Sequence, residues 1–214
     1  MPTACFFLMG TDRNRRWLRR YTQTHAGGWT CAEGWHEASV PIADGPRRVS
    51  ENHGPHVTED DPVEDFADDP RWPTHCADGC GYAFTDDDAR QVLTRRIYRV
   101  DAVMPGAALD VGAEATIEEA PPGAMWYADW MGEWAQGPDG RSLQVKLPDG
   151  HTWTVDGEAT NCTRKGDRSH HCWVRHGTPP LITVDKAGET CQAGGGSIQT
   201  ANYHGFLREG TLTP

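Results

Sequence analysis

The chain has 214 residues, a formal net charge of −11 and only 37% hydrophobic residues, against 24 Gly and 15 Pro. That balance excludes a helical bundle, disfavours nonspecific binding to a nucleic-acid backbone, and leaves no stretch near the roughly 20 apolar residues that span a bilayer. Nine Trp offset the shortage of aliphatics, since each indole buries roughly 150–250 Å². The expected fold is therefore mainly β (α+β): antiparallel sheets of short strands, long loops and one helix.

In chain order, residues 4–9 read as a buried strand. Its run Cys5-Phe6-Phe7-Leu8-Met9 is too short for a signal-peptide core and is followed, not preceded, by arginines. The expectation is a chain without a secretory signal, in a reducing compartment where cysteines read as metal ligands before disulfides. Arg13, Arg15, Arg16, Arg19 and Arg20 form a basic run in a short helix or exposed strand. Gly27-Gly28-Trp29-Thr30-Cys31 turns into a first ligand loop, and Val40-Pro41-Ile42 is extended. Residues 44–73 read as a long acidic loop or arm carrying Glu59, Asp60, Asp61, Glu64, Asp65, Asp68 and Asp69. The two charged runs read as solvated segments facing each other, or as an arginine patch that docks on an acidic neighbour or phosphate.

Thr85, with Asp86 and Asp87 behind it, reads as a helix start. The stripe Ala89, Val92, Leu93 and Ile97 extends that helix over about 86–97. Pro121-Pro122 marks a soft boundary within an otherwise single domain, 1–214. Trp126, Trp130 and Trp134 recur every four residues, as a buried helical face or a binding surface for a sugar or protein would. Leu143–Leu147 and His151–Val155 alternate around Asp149-Gly150, a strong hairpin signal. Further strands are expected at 172–175, 181–184, 197–199 and 204–207, with turns at 185–188 and 208–210.

The chemistry sits in 7 Cys and 10 His. His75-Cys76-Ala77-Asp78-Gly79-Cys80 spaces two thiols as a loop around a tetrahedral ion requires. Cys31 and His36 lie upstream. The expected structural zinc site is Cys31, Cys76 and Cys80 with His36 or His75; the alternative is free buried thiols. A second group contains Cys162, His170, His171, Cys172, His176, Cys191 and His204. It reads as another metal site, a Cys162–Cys172 disulfide, or ordinary side chains. Ser197, after Gly194-Gly195-Gly196, pairs with His204 as a candidate nucleophile and base, with Asp185 or Asp167 as orienting group. No nucleophile elbow of the usual hydrolase kind is present, and a turn serine beside a structural histidine is the competing reading.

Four segments, Cys80-Gly81-Tyr82-Ala83-Phe84, Pro121–Trp130 (Pro-Pro-Gly-Ala-Met-Trp-Tyr-Ala-Asp-Trp), Cys172-Trp173-Val174-Arg175-His176-Gly177 and Gly196-Ser197-Ile198-Gln199 with Tyr203-His204-Gly205-Phe206-Leu207, resemble a group of proteins encoded in phage and bacterial genomes. The likeness covers roughly residues 76–210 and assigns no catalytic residue. It implies a viral origin and a role in or near the particle. Together these readings give a phage-encoded, zinc-stabilised accessory protein. It is expected to be virion-associated, or free in the host cytoplasm, and to bind other phage proteins without catalysis, as part of an oligomer or assembly. No membrane is expected, and nucleic acid is disfavoured. The alternatives are a Ser/His peptidase-like hydrolase acting on a small protein tail and, further off, a nucleic-acid-associated zinc protein using the Arg13–Arg20 run.

Overall fold

A computed structural model describes residues 1–22, 31, 34–50, 54–167, 170–186, 191 and 197–214. Among them are fifteen β-strands, two short 3₁₀ turns and no α-helix. The chain divides into two units: residues 11–97, and residues 1–10 with 98–214. The chain passes between them within two long strands, β2 (Phe6–Tyr21) and β6 (Ala89–Val103).

In the unit 11–97, β2 pairs antiparallel with β3 (Glu37–Pro46), Tyr21 opposite Glu37, with a bulge between Asn14 and Arg16. The basic run is thus a strand. It holds one wall of a small core in which Leu18, Ile42, Trp72 and Val92 pack together with Val63 and Phe66. The arginines meet acidic neighbours: Arg19 with Glu37 at 2.6 Å, Arg13 with Asp44 at 3.0 Å and Arg16 with Asp61 at 3.7 Å. The acidic stretch is more ordered than its composition suggests. It contains β4 (Val49–Ser50), β5 (Gly54–Thr58) and a 3₁₀ turn at Val63–Phe66. The Asp60 carboxylate accepts the Thr94 N–H at 2.8 Å, which ties this stretch to β6.

The helix expected over 86–97 is corrected to strand. Residues 89–103 are extended, with Val92 and Thr94 buried in alternation and Ile97, Tyr98 and Val100 buried further on. Val92, Thr94, Ile97 and Val100 are β-branched and Tyr98 is aromatic, residue types that favour a pleated surface. Their positions also satisfy a helical stripe, so periodicity alone misleads. Nor does Thr85 cap a helix: its N–H donates to Asp88 Oδ2 at 2.7 Å, closing a turn.

In the other unit, β8 (Ala124–Tyr127) pairs in parallel with Phe6–Leu8 of β2 and antiparallel with β9 (Leu143–Lys146). β9 turns at Asp149-Gly150 into β10 (Thr152–Thr154), with Thr152 opposite Lys146. Gly150 has φ +85°, which is why glycine follows the aspartate. β7 (Glu114–Ala115) pairs with β6 at Tyr98 and Arg99. β11 (Val174–Thr178) and β12 (Leu181–Asp185) form a hairpin. A further sheet runs in the order β1 (Thr3–Ala4), β15 (Thr211–Thr213), β14 (His204–Arg208), β13 (Ile198–Gln199). The main core here is Met125, Leu143, Val145, Leu147, Trp173, Ile182, Ile198, Leu207 and Leu212 with their neighbours. Pro121-Pro122 lies inside this unit. The Trp126/Trp130/Trp134 stripe is no helical face. Trp126 is buried on β8, whereas Trp130 and Trp134 are 44% and 57% exposed in the following loop.

Arg175 of β11 pins that loop. Its Nε donates to both Asp156 oxygens, at 2.8 and 3.0 Å, and its other nitrogens reach Asp139 and the Arg141 carbonyl. Burial pushes the Asp156 carboxyl upward against the pull of Arg175, so this aspartate depends on its partner to stay ionised. Truncating one member of a buried pair strands the other charge. Arg175→Met is therefore expected to cost about 3–5 kcal/mol in urea denaturation, and Arg175→Met with Asp156→Asn distinctly less. Equal losses in the single and double variants would contradict the assignment.

Candidate metal centres

The first centre is assembled from two returns of the chain in the unit 11–97. At the end of β2, the Thr22 N–H donates to the His36 carbonyl at 3.0 Å, and the His36 N–H returns to Thr22 Oγ1 at 3.1 Å. This latch presents Cys31 and His36 together. The opposing loop is held by Cys76 N–H on the Tyr82 carbonyl and Ala77 N–H on the Glu37 carbonyl, both 3.0 Å. Gly79 and Gly81 take φ of +67° and +84°, which bends the chain back within the few residues that carry Cys76 and Cys80. The ligand atoms of Cys31, His36, Cys76 and Cys80 all lie within 4.8 Å of one another.

The short distances identify the geometry. Cys31 Sγ is 3.3 Å from Cys76 Sγ, and Cys80 Sγ is 3.4 Å from His36 Nδ1. Metal–sulfur bonds of about 2.3 Å and metal–nitrogen bonds of about 2.0 Å at tetrahedral angles place sulfurs about 3.8 Å apart and sulfur and nitrogen about 3.5 Å apart. A disulfide needs about 2.05 Å, and all seven cysteines are free. The His36 ring stacks on Tyr82 at 4.0 Å and 5°, and the Tyr82 hydroxyl donates to Asp88 at 3.1 Å, so the imidazole is oriented from behind.

Electrostatics divide the thiols. Burial opposes a Cys76 thiolate, but the Asp78 N–H, the Cys31 thiol and the Glu37 N–H outweigh it and bring the group down to about 7. Cys31 donates to Asp78 Oδ2 at 3.0 Å, and that carboxylate, then Cys76, hold its proton on.

His75 stands outside this group. It is exposed, its Nδ1 lies 3.0 Å from Thr74 Oγ1, and its backbone bridges Ala83. In an extended segment neighbouring side chains point to opposite faces. With Cys76 turned inward, His75 turns out.

The second centre lies in the other unit. Cys162, His170, Cys172 and Cys191 are all buried, and their ligand atoms also lie within 4.8 Å of one another. His170 Nε2 is 3.2 Å from Cys162 Sγ and 3.8 Å from Cys172 Sγ, and Cys191 Sγ is 3.7 Å from Cys172 Sγ. His170 Nδ1 sits 2.7 Å from the Asp167 carbonyl. A carbonyl only accepts, so the ring proton is on Nδ1 and the Nε2 lone pair faces the sulfurs, as a metal ligand requires. Two sulfurs accept backbone N–H groups: Cys162 from Arg164 and Cys172 from Ala159, both 3.3 Å. Such donors favour thiolates. Without a cation, burial pushes Cys172 up to about 12.

Of the other histidines read into this group, His176 pairs with Asp185 at 3.1 Å and His204 with Ser197 at 2.9 Å. His171 is also outside the ligand set. The Ser197–His204 contact is the one the sequence suggested. Its proposed orienting groups are engaged elsewhere, Asp185 on His176 and Asp167 on Arg164 at 2.6 Å. Gly194–Gly196 and Gly27–Thr30 lie outside the described residues. No local sequence pattern signals the Tyr82 stack or the Asp167 carbonyl, and only the residue types at 162, 170, 172 and 191 hint at the second centre.

Both groups are sets of three cysteines and one histidine that can hold a metal ion, one in each unit. No family model, curated protein or solved structure matches the chain. Among the described residues, no helix is long and apolar enough to cross a membrane.

The purified protein should carry two metal ions per chain by elemental analysis. His36→Ala and Cys172→Ser should each remove one, and His75→Ala neither. Stripping with a chelator should lower the melting temperature, because ligand binding to the folded state is stabilisation. Loss of metal in His75→Ala with retention in His36→Ala would overturn the ligand assignment.

Proposed function

We propose that the protein is a zinc-stabilised, non-catalytic binding protein, with one closed zinc site in each of its two units. The observation that carries this reading is the ligand inventory: three sulfurs and one imidazole nitrogen at each centre. Four protein ligands leave no open position for water or substrate, which is the pattern of structural rather than catalytic zinc. Thiolate-rich sets also select zinc over hard cations. The chain gains most from such staples where its own core is thin, as around Leu18, Ile42, Trp72 and Val92.

The biological setting follows from the resemblance to phage- and bacterium-encoded proteins. It supports an accessory role in a phage, through contacts with other phage proteins in or near the particle. Trp130 and Trp134, exposed on one loop, suit such a contact. Mass spectrometry of purified particles should detect the protein at a fixed ratio to the capsid subunit. Its absence from particles would end this assignment.

One observation favours a second reading. Ser197 Oγ and His204 Nε2 lie 2.9 Å apart, the distance at which an imidazole takes a hydroxyl proton. A hydrolase acting on a small protein tail should label at Ser197 with a fluorophosphonate probe, and Ser197→Ala should abolish labelling. An unlabelled wild-type protein retires this reading.

A further inference from the structure

A cavity of about 500 Å³ opens in the unit 1–10 with 98–214, lined by Trp153, Glu158, Ala159, Thr160, Asn161, Trp173, Ser197 and Gln199. Its size suits a small ligand. Two indoles meet there edge to face, with centroids 5.6 Å apart. Trp173 is only 7% exposed and belongs to the core, so Trp153, which is half-buried, supplies the accessible aromatic face.

The remaining lining decides the ligand class. Thr160, Asn161, Ser197 and Gln199 contribute hydroxyls and carboxamides, groups that both donate and accept. The side chains of Thr160, Asn161 and Gln199 have no hydrogen-bond partner among the described residues. Among the described residues, Glu158 is the one charged residue on the wall and no cation lines it, so these residues repel a phosphate or carboxylate ligand rather than hold it. Glu158 Oε1 is already occupied by the Gly166 N–H at 2.9 Å, which weakens the case for a cationic ligand. A flat apolar face on Trp153 beside neutral two-way hydrogen-bonding groups matches a molecule with the same division: a sugar ring, with C–H groups on its face and hydroxyls at its edge.

The walls are also extensions of the second metal centre. Asn161 precedes Cys162, and Trp173 follows Cys172. The Ala159 N–H donates to Cys172 Sγ, and Ser197 follows Cys191 by six residues. His204 holds the Ser197 hydroxyl in place. We propose that this cleft binds a short neutral oligosaccharide, stacked on Trp153 beside the buried Trp173 and hydrogen-bonded by Asn161, Gln199 and Ser197, with its walls set by the metal at Cys162, His170, Cys172 and Cys191. The proposal deepens the reading of the protein as a binding protein and rests on it.

The test is titration of the metal-loaded protein with maltotriose, cellotriose and triacetylchitotriose, each up to about 10 mM to include weak binding, followed by tryptophan fluorescence. Trigalacturonate serves as the anionic control. Metal content is measured on the same samples, and the sugars are recovered by chromatography. At least one neutral trisaccharide should bind and be recovered intact, and trigalacturonate should not bind. Trp153→Ala and the surface variant Asn161→Ala should each weaken binding by about tenfold or more with metal retained. No binding of any neutral trisaccharide by metal-loaded protein, preferred binding of trigalacturonate, or unchanged affinity in both variants would overturn the proposal. Cleavage of a bound sugar would leave the cleft assignment standing and overturn the non-catalytic reading instead. Full binding by protein that holds no metal would overturn the metal's part in the proposal.

Discussion

The organising constraint in this structure is the gathering of sulfur at two points, one near the surface and one buried. Twice, three cysteine sulfurs and an imidazole nitrogen converge within 4.8 Å. At the buried second group, three thiolates so close would repel one another strongly in a medium of low dielectric, and burial opposes ionising them at all. A divalent cation reverses both effects: it neutralises the charge and replaces the lost hydration with bonds. Backbone N–H groups on Cys162 and Cys172, the stacked Tyr82 and the Asp167 carbonyl are placed to support ligands that can hold such an ion.

That constraint explains features that composition alone leaves odd. Glycine-rich loops cost entropy on folding, and a chain with 24 Gly and 15 Pro carries many of them. Each centre ties distant stretches at one point: residues 31–36 to 76–80 in one unit, and 162 through 172 to 191 in the other. Outside the centres, polar ties do similar work. Arg175 and Asp156 hold the loop that carries Trp130 and Trp134, and Asp60 holds the acidic stretch against β6.

What the sequence disclosed follows from how local each signal is. The Asp149-Gly150 hairpin was readable because a turn of that kind is decided by two residues and the alternation beside them. The Cys76–Cys80 loop was readable for the same reason. The strand at 89–103 was not. Ala89, Val92, Leu93 and Ile97 satisfy a helical stripe, and only pairing with other strands settles the matter. The choice between His36 and His75 was hidden because it turns on which face of an extended segment Cys76 presents. The second centre draws its ligands from residues 162 to 191 with no repeated spacing, so one-dimensional pattern could gather the candidates without selecting His170 from His171. The cleft between Trp153 and Trp173 joins three separate segments and has no signature in any of them.

The most direct measurement of the central claim is X-ray absorption at the zinc edge on protein purified without added metal. The account predicts an averaged first shell of three sulfurs at about 2.3 Å and one nitrogen at about 2.0 Å, with the spectrum unchanged by removal of either centre alone. A shell of oxygens, or no zinc edge from folded protein, would contradict it.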